Sequence, residues 1–218
     1  MSKNIKIREN DAVRLAYYLM AVDGHISECE EEYFEEVAKG FGVTNTDVLE
    51  ETRKDVEEIL ELTSNLKIIY NLIERSVSKL IESMKNKENY SSYDSISEYN
   101  LSIYDTEDNI SAEEFLSVND ITPNILLWNL MTMAIKDLDY SENERMLIKY
   151  IAGKFNVDET VLVEMDNSIR ALYAVQNDLN WIKDNVKDQS EFSNLKRGLL
   201  NRMITIEDGI KLFINEEM

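Results

Sequence analysis

The sequence contains few of the residues that make tight turns or covalent cross-links. It has six glycines, one proline, one cysteine and one histidine in 218 residues. Because glycine and proline are scarce, there are few places for β-turns, and long helices are the expected structure. The lone Cys29 cannot form an internal disulfide. This is typical of a protein in a reducing compartment, so we expect a cytoplasmic location.

Positive charge is also scarce. The chain has 23 Lys and Arg against 43 Asp and Glu, a formal net charge of -20. A field of this sign repels phosphate backbones and anionic lipid headgroups, which makes nucleic acid and bare membrane surfaces poor partners. The longest largely apolar stretch, residues 125–135, is too short to cross a bilayer. With 44% hydrophobic residues, the composition is that of a globular protein.

Apolar residues recur at helical spacing along most of the chain. The pattern predicts helices over residues 11–22, 27–41, 45–62 and 66–86, and again after Pro123. Further helices are expected in residues 168–218, including one from Ser190 to Met203 and one that Thr205 and Asp208 would cap. The predicted fold is therefore all-α, a compact helical bundle in a single domain spanning residues 1–218.

Residues 86–122 differ from the rest in composition. They hold nine carboxylates against Lys87 alone, together with four tyrosines. High charge of one sign and low hydrophobicity favour a solvated loop over packed structure. We therefore predict an acidic, flexible, removable insertion, in which Ser111 could cap one short helix.

The second half of the chain repeats the first at an offset of 114 residues. Seven identities fall within a window of 21 residues, and Asn156 stands where the first copy has Gly42. Both residue types tolerate the left-handed conformation that ends many helices. We therefore expect two copies of one helix-loop-helix unit, at about 10–62 and 124–166, packed about a pseudo-twofold axis. Residues 168–218 form a helical extension in this scheme.

Each copy ends a helix at an Asp, turns, and restarts at a Ser with Glu at the first and third helical positions. One explanation is local, because Ser and the third-position Glu form a capping box. The other is a divalent cation site, since carboxylates are the ligands that Ca²⁺ and Mg²⁺ prefer. Neither loop fits the EF-hand pattern, so such a site needs ligands from both copies. The candidate ligands are Asp23, Glu30, Asp137, Asp139 and Glu144.

Residues 21–30, followed by an amphipathic helix and Phe41-Gly42-Val43, resemble the signature of TerB-like proteins of bacterial tellurite-resistance and stress operons. The resemblance covers about residues 10–62 and 124–166. It implies an all-α bundle with an acidic, metal-binding face that works in a cytoplasmic or membrane-proximal protein assembly. By motif, the family's acidic positions are Asp23, Glu30, Asp137 and Glu144.

Three functional classes follow from these features. The first is a non-enzymatic TerB-like stress-response protein that has no organic cofactor and binds Ca²⁺ or Mg²⁺. The second is an acidic interaction module, of the immunity-protein or DNA-mimic type, that covers a basic protein partner with the tyrosine-bearing insertion. The third is a Mg²⁺-dependent helical pyrophosphohydrolase that uses pairs such as Glu28 and Glu31. An enzyme is the least favoured, because His25 has no Ser or Cys nucleophile arranged around it and no basic or glycine-rich phosphate cradle is evident.

Overall fold

The computed structural model describes residues 6–26, 28–43, 49–87, 121–135 and 140–216. Within these ranges the chain forms eight α-helices and no β-strand, so the all-α prediction is confirmed. The helices are α1 (Glu9–Met20), α2 (Glu28–Gly40), α3 (Glu50–Leu62), α4 (Leu66–Lys87), α5 (Pro123–Ala134), α6 (Glu142–Phe155), α7 (Glu159–Asn185) and α8 (Gln189–Glu216). A 3₁₀ turn, Ala21–Asp23, follows α1 directly.

The chain forms two compact units, Met1–Asn156 and Val157–Met218. The boundary falls inside the second predicted repeat, which extended to residue 166. The last ten residues of that predicted repeat therefore belong to the second unit. That the whole chain unfolds cooperatively as a single domain stays a prediction. The pseudo-twofold relation of the repeats stays a prediction as well.

The first unit is built around α1 and α5. Nine of the 12 residues of α1 are buried, and α1 packs against α2, α3, α4, α5 and α6. Nine of the 12 residues of α5 are buried as well. A helix that is apolar on nearly all sides must lie in the interior. The structure buries Leu126, Leu127 and Trp128 in succession, which a helix with a single apolar stripe would not do.

Several helix ends match the predicted local chemistry. Ser141 and Glu144 form a reciprocal capping box at the start of α6, and Asn156 ends that helix with φ +54°. Gly42 follows α2 with φ +79°, where the Val43 amide donates to the Ala38 carbonyl at 2.9 Å. Asp158 caps α7 by accepting from the Thr160 amide. Ser27, the predicted cap of α2, lies outside the described residues.

The predicted insertion was too wide at both ends. Asn86 and Lys87 belong to α4, and Thr122 caps α5 by accepting from the Ile125 amide. Ile121 is buried, and its carbonyl accepts from the Ile7 amide at 2.9 Å in an antiparallel β-bridge. The burial of Ile121 and its hydrogen bond to the distant Ile7 fix the end of the segment that composition predicted to be a loop. Residues 88–120, with the proposed helix at Ser111, lie outside the described residues.

The second unit is a hairpin of α7 and α8, which are joined by residues 186–188 and pack along each other. The prediction of two separate C-terminal helices was wrong, because α8 runs unbroken through Thr205. The Thr205 hydroxyl donates to the Asn201 carbonyl one turn earlier at 2.9 Å and does not cap a new helix. The start was misplaced too, since Asp188 accepts from the Glu191 amide at 2.8 Å and Ser190 lies inside α8.

Candidate functional site: the entry loop and the acidic face

The loop between α1 and α2, residues 21–26, is here called the entry loop. Gly24 occupies the left-handed region there, with φ +97°. A Cβ at this position would lie 2.7 Å from Cδ2 of Leu66 and 3.4 Å from Cδ1 of Ile69. Glycine therefore suits the backbone conformation, and any Cβ here would also force the Leu66 side chain to move.

A side-chain hydrogen bond connects the two predicted repeats. The Asn143 amide, in the first turn of α6, donates to the Val22 carbonyl at 3.2 Å. The 3₁₀ turn that contains Val22 also packs against both α4 and α6. The structure thus places Asp23, the next residue, beside the start of the second repeat's main helix. The repeat comparison could not indicate Asn143, because the first copy has Cys29 at that position.

Glu144 is committed to the start of its own helix. Its side chain is buried, its Oε2 accepts from the Ser141 amide at 2.7 Å, and its own amide donates to Ser141 Oγ at 3.2 Å. Both bonds satisfy backbone donors that the first turn of a helix leaves without intrahelical partners. The capping box predicted for the second copy is therefore present.

The remaining candidate ligands have different surroundings. Asp23 Oδ1 lies 3.6 Å from Nδ1 of His25, and the two side chains are 16% and 69% exposed. Glu30 is half-buried in the first turn of α2. Asp137 and Asp139 lie outside the described residues. Within the described part of the chain, no group of three or more His, Cys, Asp or Glu side chains could hold a metal ion. Asp23, Glu30 and Glu144 alone therefore do not make a cation site.

Charge is segregated among the helices of the first unit. Helix α2 has six glutamates and one lysine, and α3 has six acidic and two basic residues. Helix α4 is the reverse, with five basic and two acidic residues. Six exposed glutamates of α2 and α3 are here called the acidic face. They are Glu31, Glu32 and Glu35 on α2, and Glu57, Glu58 and Glu61 on α3.

The pKa of Tyr17 on α1 is affected by glutamates from both acidic helices. Burial raises the pKa of the Tyr17 hydroxyl most, the charges of Glu31 on α2 and Glu57 on α3 raise it further, and Arg53 opposes them. The Tyr17 ring packs edge-on against Phe34 at 5.2 Å, and the Arg53 guanidinium lies 5.9 Å from its centroid. Carboxylates of both helices thus act on one hydroxyl, against the opposing charge of Arg53.

Polar contacts fix α3 against α1. The Tyr18 hydroxyl donates to Asp55 Oδ2 at 2.7 Å, and Arg14 Nε donates to Oγ1 of the buried Thr52 at 2.8 Å. Burial raises the pKa of Tyr18 well above its ordinary value, and the hydrogen bond to Asp55 adds to this shift. These contacts join residues about 40 positions apart, and no motif in the sequence indicated them. They hold α3, which carries Glu57, Glu58 and Glu61, against α1.

Comparison with protein-family models, curated proteins and solved structures finds no match for this chain. The TerB-like resemblance therefore stays a prediction that rests on the residues quoted for it. No helix in the described part of the chain is long and apolar enough to cross a membrane.

Proposed function

We propose that this protein is a non-enzymatic, TerB-like interaction module that binds a cationic protein surface through the acidic face of α2 and α3. The six exposed glutamates of the acidic face carry this proposal, and two of them, Glu31 and Glu57, act on the one hydroxyl of Tyr17. These carboxylates give α2 and α3 a negatively charged surface. Complementary charge speeds the association of two proteins and disfavours wrong partners.

The segregation of charge supports the same proposal. A net charge of -20 spread evenly would keep the chain soluble and repel other acidic molecules. Here α2 and α3 are strongly acidic while α4 of the same unit is basic. A cationic partner is therefore attracted to α2 and α3 rather than to α4. This differs from the sequence hypothesis that placed the interaction in the insertion.

A defined cationic helical peptide, rich in lysine and arginine, is a suitable probe. Its affinity should be measured by fluorescence anisotropy at low and high salt. We expect Glu31→Gln with Glu35→Gln and Glu57→Gln to weaken binding roughly threefold to a hundredfold at low salt, since exposed ion pairs contribute about 0.2–1 kcal/mol each. The loss should shrink as salt rises.

The matched control removes the same charge from α7, by Glu164→Gln, Asp178→Asn and Asp184→Asn. These side chains are not buried and lie in the second unit. The control should weaken binding much less than the acidic-face variant. Equal losses in the two variants would show that only net charge matters, and the proposed face would be wrong.

A second candidate function is divalent-cation binding at the entry loop. The Asn143 to Val22 hydrogen bond favours it, because this bond brings the neighbouring Asp23 to the second repeat. Asp137 and Asp139 would have to supply further oxygen ligands from that repeat. Melting with added cations, described in the Discussion, tests this candidate separately from peptide binding.

A further inference from the structure

Two exposed leucines lie on either side of the turn that joins α3 to α4, and we call them the leucine pair. Leu62 ends α3 and is 72% exposed, whereas Leu66 begins α4 and is 49% exposed. Side-chain bonds define the turn between them. The Asn65 amide donates to Thr63 Oγ1 at 3.0 Å, and Asn65 Oδ1 accepts from the Lys67 amide at 3.1 Å. The leucine pair is therefore exposed on a turn with a fixed conformation.

Both members of the leucine pair lie at the level of the entry loop. A Cβ on Gly24 would be 2.7 Å from Cδ2 of Leu66, so Leu66 approaches the entry loop directly. For Leu62 the level follows from the two hydrogen bonds between α1 and α3. They join residues 38 and 37 positions apart in ascending order, so the two helices run in the same direction. The same offset places Leu62 at the level of residues 24–25.

The leucine pair adjoins the α3 end of the acidic face. Glu58 lies one helical turn before Leu62 and three residues before Glu61, so all three share one surface of α3. Both glutamates are exposed, and in the part of the chain that the structure describes neither has a hydrogen bond or an ion pair. The last turn of α3 has no basic residue, and the helix dipole adds negative potential there. Lys67 lies about 100° around α4 from Leu66.

We propose that the leucine pair binds the apolar side of a basic amphipathic helix of a partner protein. This inference rests on the proposed function and names the form of its cationic partner. In such a helix, apolar and basic side chains recur at intervals of three and four residues, so leucines can cover Leu62 and Leu66 while lysines or arginines reach Glu58 and Glu61. Charge favours this occupant over a second copy of the chain, because a twofold contact here would bring these glutamates close to their own copies.

Two helical peptides of equal length and charge test this by fluorescence anisotropy. One carries lysines with leucines at positions i, i+3, i+4 and i+7, and the other has glutamine in place of every leucine. The labelled peptides are kept too dilute to self-associate. We expect the unmutated protein to bind the leucine peptide on the order of tenfold tighter, because only this peptide removes the leucine pair from water. Leu62→Gln should lower that preference roughly threefold or more, and adding Leu66→Gln should lower it further.

The control Leu212→Gln removes a leucine that is 65% exposed on α8, in the second unit, and should leave the preference unchanged. Urea unfolding should show equal stability for Leu62→Gln and the unmutated protein. The acidic-face variant of the previous section should weaken both peptides to a similar extent, so the preference separates this inference from the proposed function.

The possible failures are distinguishable. Equal affinity for the two peptides, or a preference that Leu62→Gln does not change, would overturn this inference and leave the acidic face in place. If the acidic-face variant weakens neither peptide, the proposed function on which this inference rests is wrong. If sedimentation equilibrium of the unmutated protein shows a dimer that Leu62→Gln dissociates, a second copy covers the leucine pair and the partner helix is refuted.

Discussion

Gly24 allows the sharpest test of the packing at the entry loop. Gly24→Ala adds a Cβ to a residue with φ +97° and places it 2.7 Å from Cδ2 of Leu66. Gly42→Ala adds a Cβ at φ +79°, where no atom lies within 4 Å. The two substitutions share the backbone strain, and only the first also has the contact with α4.

The expected costs follow from these two effects. A left-handed conformation costs an alanine roughly 1–2 kcal/mol, so both variants should lose about that much free energy of unfolding. Leu66 is 49% exposed, so its side chain can rotate away from the new Cβ. A displaced rotamer costs about 0.5–1.5 kcal/mol, which should appear for Gly24→Ala only. For a chain of this size each kcal/mol lowers the melting temperature by about 2–4 °C.

A double-mutant cycle with Leu66→Ala isolates the contact, and unfolding in urea provides the free energies. Shortening Leu66 should remove the extra cost of Gly24→Ala, giving a coupling energy of about 0.5–1.5 kcal/mol. The same cycle with Gly42→Ala should be additive. Additivity at Gly24 as well would refute the inferred contact between the entry loop and α4.

Three further predictions concern caps, tyrosines and cations. Glu144→Ala should lower the free energy of unfolding by about 1–2 kcal/mol, because the partly buried Ser141 amide loses its acceptor. Glu144→Gln should retain most of the stability in the same urea assay. The pKa of Tyr18 in the folded protein lies above its ordinary 10.0. Above that pH the folded state holds a proton that the unfolded chain releases, so the free energy of unfolding should fall as pH rises. Urea unfolding between pH ~9 and ~11 should show a shallower fall for Tyr18→Phe than for the unmutated protein. If the entry loop binds a divalent cation, millimolar Ca²⁺, Mg²⁺ or Mn²⁺ should raise the melting temperature, by an increment worth about 2.7 kcal/mol at a hundredfold excess over Kd, and Asp23→Asn should abolish it. A melting temperature that none of these cations changes would remove the cation hypothesis at the concentrations tested.

Local chemistry was sufficient to predict most of the helices and several of their ends. The capping box of Ser141 and Glu144 and the left-handed Asn156 each depend on residues within a few positions. The same reasoning failed at Thr205, because a hydroxyl can cap a new helix or bond back to the carbonyl four residues earlier. The unbroken α8 packs along α7, a contact between two helices that the local sequence does not specify.

The candidate sites, like the helices, were predicted from the sequence only in part. Sequence identified Asp23 and Glu144 as residues at helix boundaries, and the acidic composition of α2 and α3 can be read directly from the residues. It could not show that Asn143 bonds to Val22, or that Glu31 and Glu57 act on the same hydroxyl of Tyr17. Helical period and capping are interactions over about four residues, so one segment determines them. Which helices lie side by side depends on how all the apolar faces are buried together, and only the tertiary structure decides that.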